Sequence, residues 1–293
     1  MVAIDEDNTI VFEERIVLPV KKGSFGLRQS DAFFHHVKNL PELYHRCLKV
    51  VDKEHVKVIC VSDQPRQIEG SYMPVFTAGV HLSSLMSDSI GCPLMKLSHQ
   101  ENHLYAVAYE HELPQDFIGV HISGGTSEIL KVSFKDKFSI ELIGHTLDLS
   151  FGKLIDRIGV YMGLDFPSGK ALDALRSDDL EVYKLKLSIK ALTFNISGFE
   201  NKLKAYYDQD KNKVKIANTL FYYTALILEE ILKSAQQTYD IHTFVISGGV
   251  SANSYIREHL RNVFKENVIF PKVKYATDHA LGNAYYGRLM THD

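Results

Sequence analysis

The chain has 293 residues, 45% hydrophobic and 24% charged, with 16 Phe and 15 Tyr but no Trp, which is enough apolar material for two packed lobes and excludes a disordered chain. Its formal net charge of −3 excludes a global basic footprint for nucleic acid, so any RNA contact must use a local basic face or a partner protein. Cys47, Cys60 and Cys92 are odd in number and lack CxxC spacing, which excludes a disulfide framework and a zinc knuckle and suits a reducing compartment.

The start, MVAIDEDNT, is acidic and carries no secretory apolar core, and no run approaches the roughly 18 apolar residues a bilayer requires. A cytoplasmic protein without membrane contact is expected. Residues Val2–Leu18 predict a β-hairpin around the acidic turn Asp5-Glu6-Asp7-Asn8. After a Gly- and Pro-punctuated loop, Ser30 or Asp31 is expected to cap a helix over Ala32–His55, divided in two by Pro41. Val56–Asp63 reads as a buried parallel strand, Phe76–Gly91 as a helix and Pro93–Leu97 as a further strand. Ser98 is placed to cap the helix that follows, SHQENHLYAVAYEH.

Asp116–Phe134 predicts strand, glycine turn, strand, and Lys137–His145 adds another strand. A helical territory runs from about 150 to 237, interrupted at LDFPSGKALD and FNISGFE. The basic runs Lys184–Lys190 and Lys211–Lys215 read as solvated helix faces. His242–Leu260 predicts strand, glycine turn, helix, and Val273–Met290 a strand and a last helix. The turns HISGG (His121–Gly125) and VISGG (Val245–Gly249) echo each other at strand ends, which suggests a duplicated core.

The chemistry concentrates in three places. His99 and His103 stand four apart, on one helix face, where two imidazoles can converge on a divalent metal. Glu101 stands two residues from each, off that face, so the pair lacks the base of a zinc peptidase motif. Asp278, expected at a strand end, is the favoured third ligand; the alternative is that it caps the helix starting near Ala280. The Ser-Gly-Gly turns let backbone N–H groups approach a phosphate, with Asn253 adding a polar side chain; the alternative is simple tight turns. Asp156 lies off the apolar stripe of Phe151, Leu154, Ile155 and Ile158, which by itself places it on the solvated surface.

Six segments, in order from about Gly79 onward, resemble the motifs of one family. HQENH is similar to its HMExH metal motif, HISGGTSEIL to VSGGHTxL, and GLDFPSG to GLxYPGG. FNISGFENKL resembles FSFSGLK, VISGGVSANSYIREHL resembles GGVxAN-x-x-LR, and TDHA resembles TDNA. The family is that of the tRNA threonylcarbamoyladenosine transferases, once described as O-sialoglycoprotein endopeptidases. The resemblance implies an α/β, duplicated actin/hexokinase-like fold with a helical insertion at about 150–237. It implies a first lobe of residues 1–112 completed by helix 280–293, and a second lobe of residues 113–279. It also implies transfer of threonylcarbamoyl from an adenylate to N6 of adenosine 37 of tRNA.

By the same resemblance, His99, His103 and Asp278 would hold one divalent metal, iron or zinc. His121, Ile122, Ser123, Gly124, Gly125, Asp156, Gly169, Gly248, Gly249 and Asn253 would contact the adenine nucleotide, threonylcarbamoyl-adenylate or ATP. The implied partners are tRNA and a sister subunit or second copy bound through the first lobe. Departures are Thr126 for a His, Ser168 for a Gly, His279 for an Asn, and LRQSDAFFHHV in place of a PExASRxH loop. The family's opening strand and GIxTSxD phosphate loop have no counterpart from Met1 onward. Two alternatives follow: a non-catalytic scaffold paralogue, and the older metallopeptidase reading.

Overall fold

The computed structural model describes residues 1–21, 26–177, 179–186 and 192–291. Internal contacts divide the chain into two units. Unit 1 holds Met1–Pro19, Leu27–Glu112 and Asp278–Asp293; unit 2 holds Val20–Gly26 and Leu113–Thr277. Asp278 and His279, expected with the second lobe, thus fall in unit 1.

Unit 1 opens with the predicted hairpin, β1 (Val2–Ile4) antiparallel to β2 (Ile10–Glu13). Its turn is held by Asp5, whose carboxylate accepts the N–H groups of Asp7 at 3.0 Å and Thr9 at 2.8 Å. Helix α1 (Gln29–Cys47) differs from expectation twice: it starts after Arg28 without a side-chain cap, and it continues through Pro41. The carbonyl that Pro41 cannot serve belongs to Val37, which is 50% exposed, so water can replace the lost bond. Strand β3 (Ile59–Gln64), helix α2 (Pro74–Ile90) and strand β4 (Leu94–Ser98) form a parallel β-α-β unit. Pro74 starts α2 and Gly91, at φ 79°, ends it in the left-handed region. Only Val61 of β3 is buried, although the sequence predicted a buried strand. Helix α3 (His99–Glu110) follows β4 directly.

Unit 2 is built on a five-stranded sheet in the order β7-β6-β5-β8-β9. Strands β5 (Asp116–Ile122), β6 (Ser127–Phe134) and β7 (Phe138–His145) form an antiparallel meander. Then come α4 (Phe151–Tyr161), α5 (Gly169–Leu175), α6 (Ser197–Asp210) and α7 (Lys213–Tyr239). Strand β8 (Phe244–Ser247) returns parallel to β5, followed by α8 (Ser254–Phe264), β9 (Val268–Ile269) and α9 (Val273–Ala276). The stretch Val273–Ala276 is therefore a helical turn where a strand was predicted. The last helix, α10 (Leu281–Met290), belongs to unit 1.

The expected α/β class is borne out, but the helical territory is shorter than predicted. Helix α5 occupies part of the predicted interruption, while the described residues between Arg176 and Ile196 form no helix. This segment lies along α7 and spends its N–H groups on side chains of that helix. Ser177 donates to Asn218 Oδ1 at 3.2 Å, Tyr183 to Thr219 Oγ1 at 3.0 Å, and Leu185 to the Tyr223 hydroxyl at 2.8 Å. Residues 187–190 of the predicted basic face fall outside the described residues. Of the second basic run, Lys211 pairs with Asp208 and Lys215 with Glu181.

Asn218 is fully buried and ties Ser177 and Asp179 to α7. Asn218→Ala strands those groups and is expected to lower the unfolding free energy by about 1–3 kcal/mol in a urea titration.

Candidate functional site

The first chemically loaded region lies in unit 1 at the start of α3. Ser98 and Glu101 form a capping box: the Ser98 hydroxyl accepts the Glu101 N–H at 3.2 Å, and Glu101 Oε2 accepts the Ser98 N–H at 2.7 Å. Glu101 Oε1 accepts from Gln67 Nε2 at 2.9 Å. Both carboxylate oxygens are engaged in holding this turn, as the off-face position in the sequence foretold. The cap fixes the first turn of α3, from which His99 and His103 project with their Nε2 atoms 3.3 Å apart. Asp278 Oδ1 stands 3.2 Å from the first and 3.6 Å from the second. Ligand atoms at about 2.1 Å from a tetrahedral divalent ion stand roughly 3.4 Å from one another, so these three converge at a spacing that fits one.

The titration states agree with that donor set. Burial lowers the pKa of His103, and its hydrogen bond to Asp278 only partly offsets this, so the neutral imidazole with a free lone pair is favoured. For Asp278, desolvation pushes the pKa upward. Most of its side-chain surface is nonetheless exposed, and the hydrogen bonds with His103 and His99 prevail, holding the carboxyl well below the usual carboxylate range. A neutral imidazole and an ionised carboxylate are the forms that ligate metal.

Asp278 does not cap α10. Its neighbour His279 does so, with Nδ1 accepting the Leu281 N–H at 3.2 Å. The side chain that carries the segment to α3 is Asn102, between the two histidines, which sequence reasoning passed over. Its Nδ2 donates to the His279 carbonyl at 2.8 Å, and its Oδ1 accepts the Asn283 N–H at 2.9 Å. Gly282 allows the approach: a Cβ there would lie 1.9 Å from the Asn102 carbonyl oxygen. Arg15 Nη1 adds a bond to the Asp278 carbonyl at 3.2 Å. The signal for Asn102 was present, a fully buried amide in the middle of HQENH, but its partners lie about 180 residues away.

The second region lies in unit 2, where β5 ends at Ile122. In the turn that follows, the Ser123 hydroxyl accepts the N–H groups of Gly125 at 3.2 Å and Thr126 at 3.1 Å. Gly124 and Gly125 are exposed, and a Cβ on Gly124 would meet nothing within 4 Å. The chain's own packing therefore does not demand a glycine at 124, which leaves close approach by a ligand as its use. The turn rests on the start of α4: Gly152 donates to the Ser123 carbonyl at 3.2 Å, and Ser150 Oγ to the Gly124 carbonyl at 3.0 Å. One turn on, Asp156 accepts the Ser168 N–H at 2.8 Å, beside Gly169 at the start of α5. Asp156 is thus half-buried and engaged, not on the solvated face that periodicity alone suggested.

The second Ser-Gly-Gly turn is different. Gly248 has φ +88°, and a Cβ there would lie 2.4 Å from the Ile122 carbonyl oxygen, so backbone geometry and packing both require glycine. Gly249 begins a short 3-10 turn to Ala252 that packs against α4 and β5, which brings the predicted residues of unit 2 into one neighbourhood. His121 Nδ1 lies 3.2 Å from Ser247 Oγ. Asn253 caps α8 through Oδ1, which accepts the Ile256 N–H at 2.9 Å. Its Nδ2 and the Ser251 hydroxyl are buried without a hydrogen-bond partner. A stranded buried donor costs about 1–3 kcal/mol, so Asn253 presents an amide that a ligand acceptor would satisfy.

Glycine substitutions separate packing from ligand space. Gly282→Ala and Gly248→Ala are each expected to cost about 1–3 kcal/mol of stability by overpacking, while Gly124→Ala changes it by less than about 0.5 kcal/mol. Chemical denaturation of the three variants checks this. Burial raises the pKa of Asp156 in the folded state, against the Ser168 N–H, which lowers it. The folded protein therefore holds that proton more tightly than the unfolded chain, and stability falls as pH rises through this window. Asp156→Asn keeps the acceptor and removes the charge. It is expected to be more stable than the parent above about pH 5, with the difference vanishing at acid pH where the parent is protonated too.

Comparison with known proteins follows from this geometry. Residues 21–285 match the family model described as TsaD, tRNA N6-adenosine threonylcarbamoyltransferase. The tRNA N6-adenosine threonylcarbamoyltransferase of Mycoplasmopsis synoviae (strain 53) is 29% identical over 250 residues, covering 83% of this chain and 78% of the relative. That of Mycoplasma mobile is 29% identical over 282 residues, covering 94% of this chain and 90% of the relative. Among solved structures, HypF from T. kodakarensis is similar at a TM-score of 0.62 and 13% identity, over 87% of this chain and 43% of that one. The activator of 2-hydroxyisocaproyl-CoA dehydratase from Clostridium difficile is similar at 0.52 and 14% identity, over 97% of this chain and 88% of that one. The chain spans less than half of HypF. At these identities the likeness concerns the fold, which is of the actin/hexokinase type.

Proposed function

Because the chain belongs to the tRNA N6-adenosine threonylcarbamoyltransferase family, we propose that it transfers threonylcarbamoyl from threonylcarbamoyl-adenylate to N6 of adenosine 37 of tRNA. We further propose that His99, His103 and Asp278 hold one divalent metal, iron or zinc. The observation that carries this reading is the convergence of two imidazole nitrogens and one carboxylate oxygen, all within 4.8 Å of one another. When bound there, a divalent ion supplies Lewis-acid chemistry toward oxygen ligands.

The chain's own residues bind and orient. In transfer, the adenosine amine attacks the carbamoyl carbon, the bond from that carbon to the adenylate oxygen breaks, and the amine proton leaves with the departing AMP. No strongly basic side chain is needed once the two reactants are held in register. The open turn at Gly124 and the start of the 3-10 turn at Gly249 admit the adenylate phosphate, with Gly248 shaping the second turn. The Asn253 amide offers its unused N–H to the nucleotide, while Asp156 and Gly169 line the same neighbourhood. Glu101 spends both oxygens within the cap and on Gln67, which speaks against a peptidase built on this histidine pair.

The partners of the reading are tRNA and a sister subunit or second copy bound through unit 1. Phe34 and Val37 of α1 and Leu85 of α2 are 64%, 50% and 66% exposed, a set of apolar side chains suited to burial by a partner. Among the described residues no helix is long and apolar enough to cross a membrane. A cytoplasmic setting fits the three free cysteines. One observation favours the scaffold alternative: the sheet of unit 1 is split into two pairs of strands.

The test is direct. The protein purified without oxygen is expected to carry near-stoichiometric metal and to modify unmodified tRNA when given threonylcarbamoyl-adenylate, read as the modified nucleoside by mass spectrometry. His99→Ala/His103→Ala should lose both. Metal retained by the double variant overturns the metal site, and no transfer by the metal-loaded parent supports the scaffold instead.

A further inference from the structure

Unit 2 has an unbroken sheet, and the place of its central strand defines what unit 1 is missing. In unit 2 the strand β5 lies at the middle of the order β7-β6-β5-β8-β9, antiparallel to β6 and parallel to β8. From β6 onward the succession is hairpin, helices, strand, helix, strand. Unit 1 repeats it: hairpin β1–β2, helix α1, strand β3, helix α2, strand β4. The correspondence pairs β1 with β6, β2 with β7, β3 with β8 and β4 with β9. Nothing in unit 1 corresponds to β5. Accordingly its sheet falls into two separate pairs, β1–β2 and β3–β4, among the described residues.

Three further observations concern this break. Helix α10 packs against both β1 and β3, so the two pairs share one supporting helix. The loss of burial is confined to the two strands that border the break. All four residues of β8 are buried, whereas its counterpart β3 has only Val61 buried and β1 has none. Finally, β1 and β3 are each hydrogen-bonded to a strand on one side only, which leaves an inner edge of backbone groups on each.

We propose that unit 1 accepts an extended segment of another polypeptide between β1 and β3, running antiparallel to the first and parallel to the second. The occupant is a strand of about seven residues, the length of β5. Its chemistry follows from its surroundings. Strand β3 packs against α2 and against α10, so an inserted neighbour is covered on both faces and must be apolar throughout. Strand β5 shows the composition that suits such a position, with Phe117, Ile118, Val120 and Ile122 at most 1% exposed. The exposed Phe34, Val37 and Leu85 of the same unit give the donor of that strand an apolar surface to rest on. The inference stands on the sheet of unit 1 and does not depend on the transferase reading.

Hydrogen exchange tests it, on residues 1–293 with a synthetic peptide carrying the β5 sequence DFIGVHI and a terminal lysine tail. The apolar peptide is expected to slow exchange about tenfold or more in residues 2–4 and 59–62 together. A peptide of equal length with Ser and Asp at its apolar positions should leave both segments unchanged. A second form, in which DFIGVHI and a short turn are appended before Met1, raises the local concentration of the strand. Protection of both segments by the free apolar peptide alone supports the proposal. Protection only in the appended form overturns a donor in trans. Protection by neither form, by both peptides equally, or at residues 10–13 and 94–98 instead, overturns the site between β1 and β3. Exchange is read without any tRNA or adenylate, so failure here and failure of the transferase reading are separate results.

Discussion

The arrangement of unit 1 depends on the crossing of α3 and α10 at Asn102 and Gly282. The crossing is close because Gly282 has no Cβ, and it is directional because one amide side chain bonds the backbone on both sides of the α10 start. Together these hold the 278–283 segment against α3 and deliver an otherwise exposed aspartate to a pair of imidazoles. Hydrogen bonds of a buried amide are modest in net energy, but leaving its partners stranded is costly, so the crossing tolerates little change. The capping box at Ser98 and Glu101 does the complementary work, fixing the helical turn from which the histidines project.

Unit 2 solves a different problem with similar residues. Its two Ser-Gly-Gly turns look alike in sequence, but they carry different constraints. At Gly248 the backbone is left-handed and pressed against a carbonyl, so glycine is a packing requirement. At Gly124 there is open space, and glycine is explained by what approaches from outside. The buried, unpaired Asn253 Nδ2 on the neighbouring loop points to the same conclusion, since a folded chain rarely strands a donor without use. Asp156 joins this neighbourhood through Ser168, and its raised pKa reflects the burial that comes with that position.

Charge and hydrophobicity fit a protein that works with others. The chain has a net negative charge, and its lysines near Lys211 and Lys215 are paired with Asp208 and Glu181, so recognition of a polyanion by overall field is not built in. Unit 1 instead exposes apolar side chains on α1 and α2 and carries a sheet in two halves. An extended segment and an apolar helix face are both surfaces that association can bury, and they lie in the same unit.

Much of this was legible in the residues themselves. The hairpin, the β-α-β of unit 1, the meander and the strand-turn-helix at Gly248 follow from periodicity and turn chemistry, which act over a few residues. The i,i+4 spacing of His99 and His103 and the cap at Ser98 are local too, and both stand in the structure. Other features rest on partners far along the chain. The segment after Arg176 carries residues compatible with a helix, but Asn218, Thr219 and Tyr223 of α7 take its N–H groups and hold it extended. Asp278 looked like a helix cap until His279 took that bond and Asn102 drew the segment to α3. Sequence determines what depends on neighbours within a helical turn or a strand pair. Tertiary structure alone decided which polar side chains meet across nearly the whole chain, because a hydrogen bond formed by distant residues leaves no periodic trace in either one.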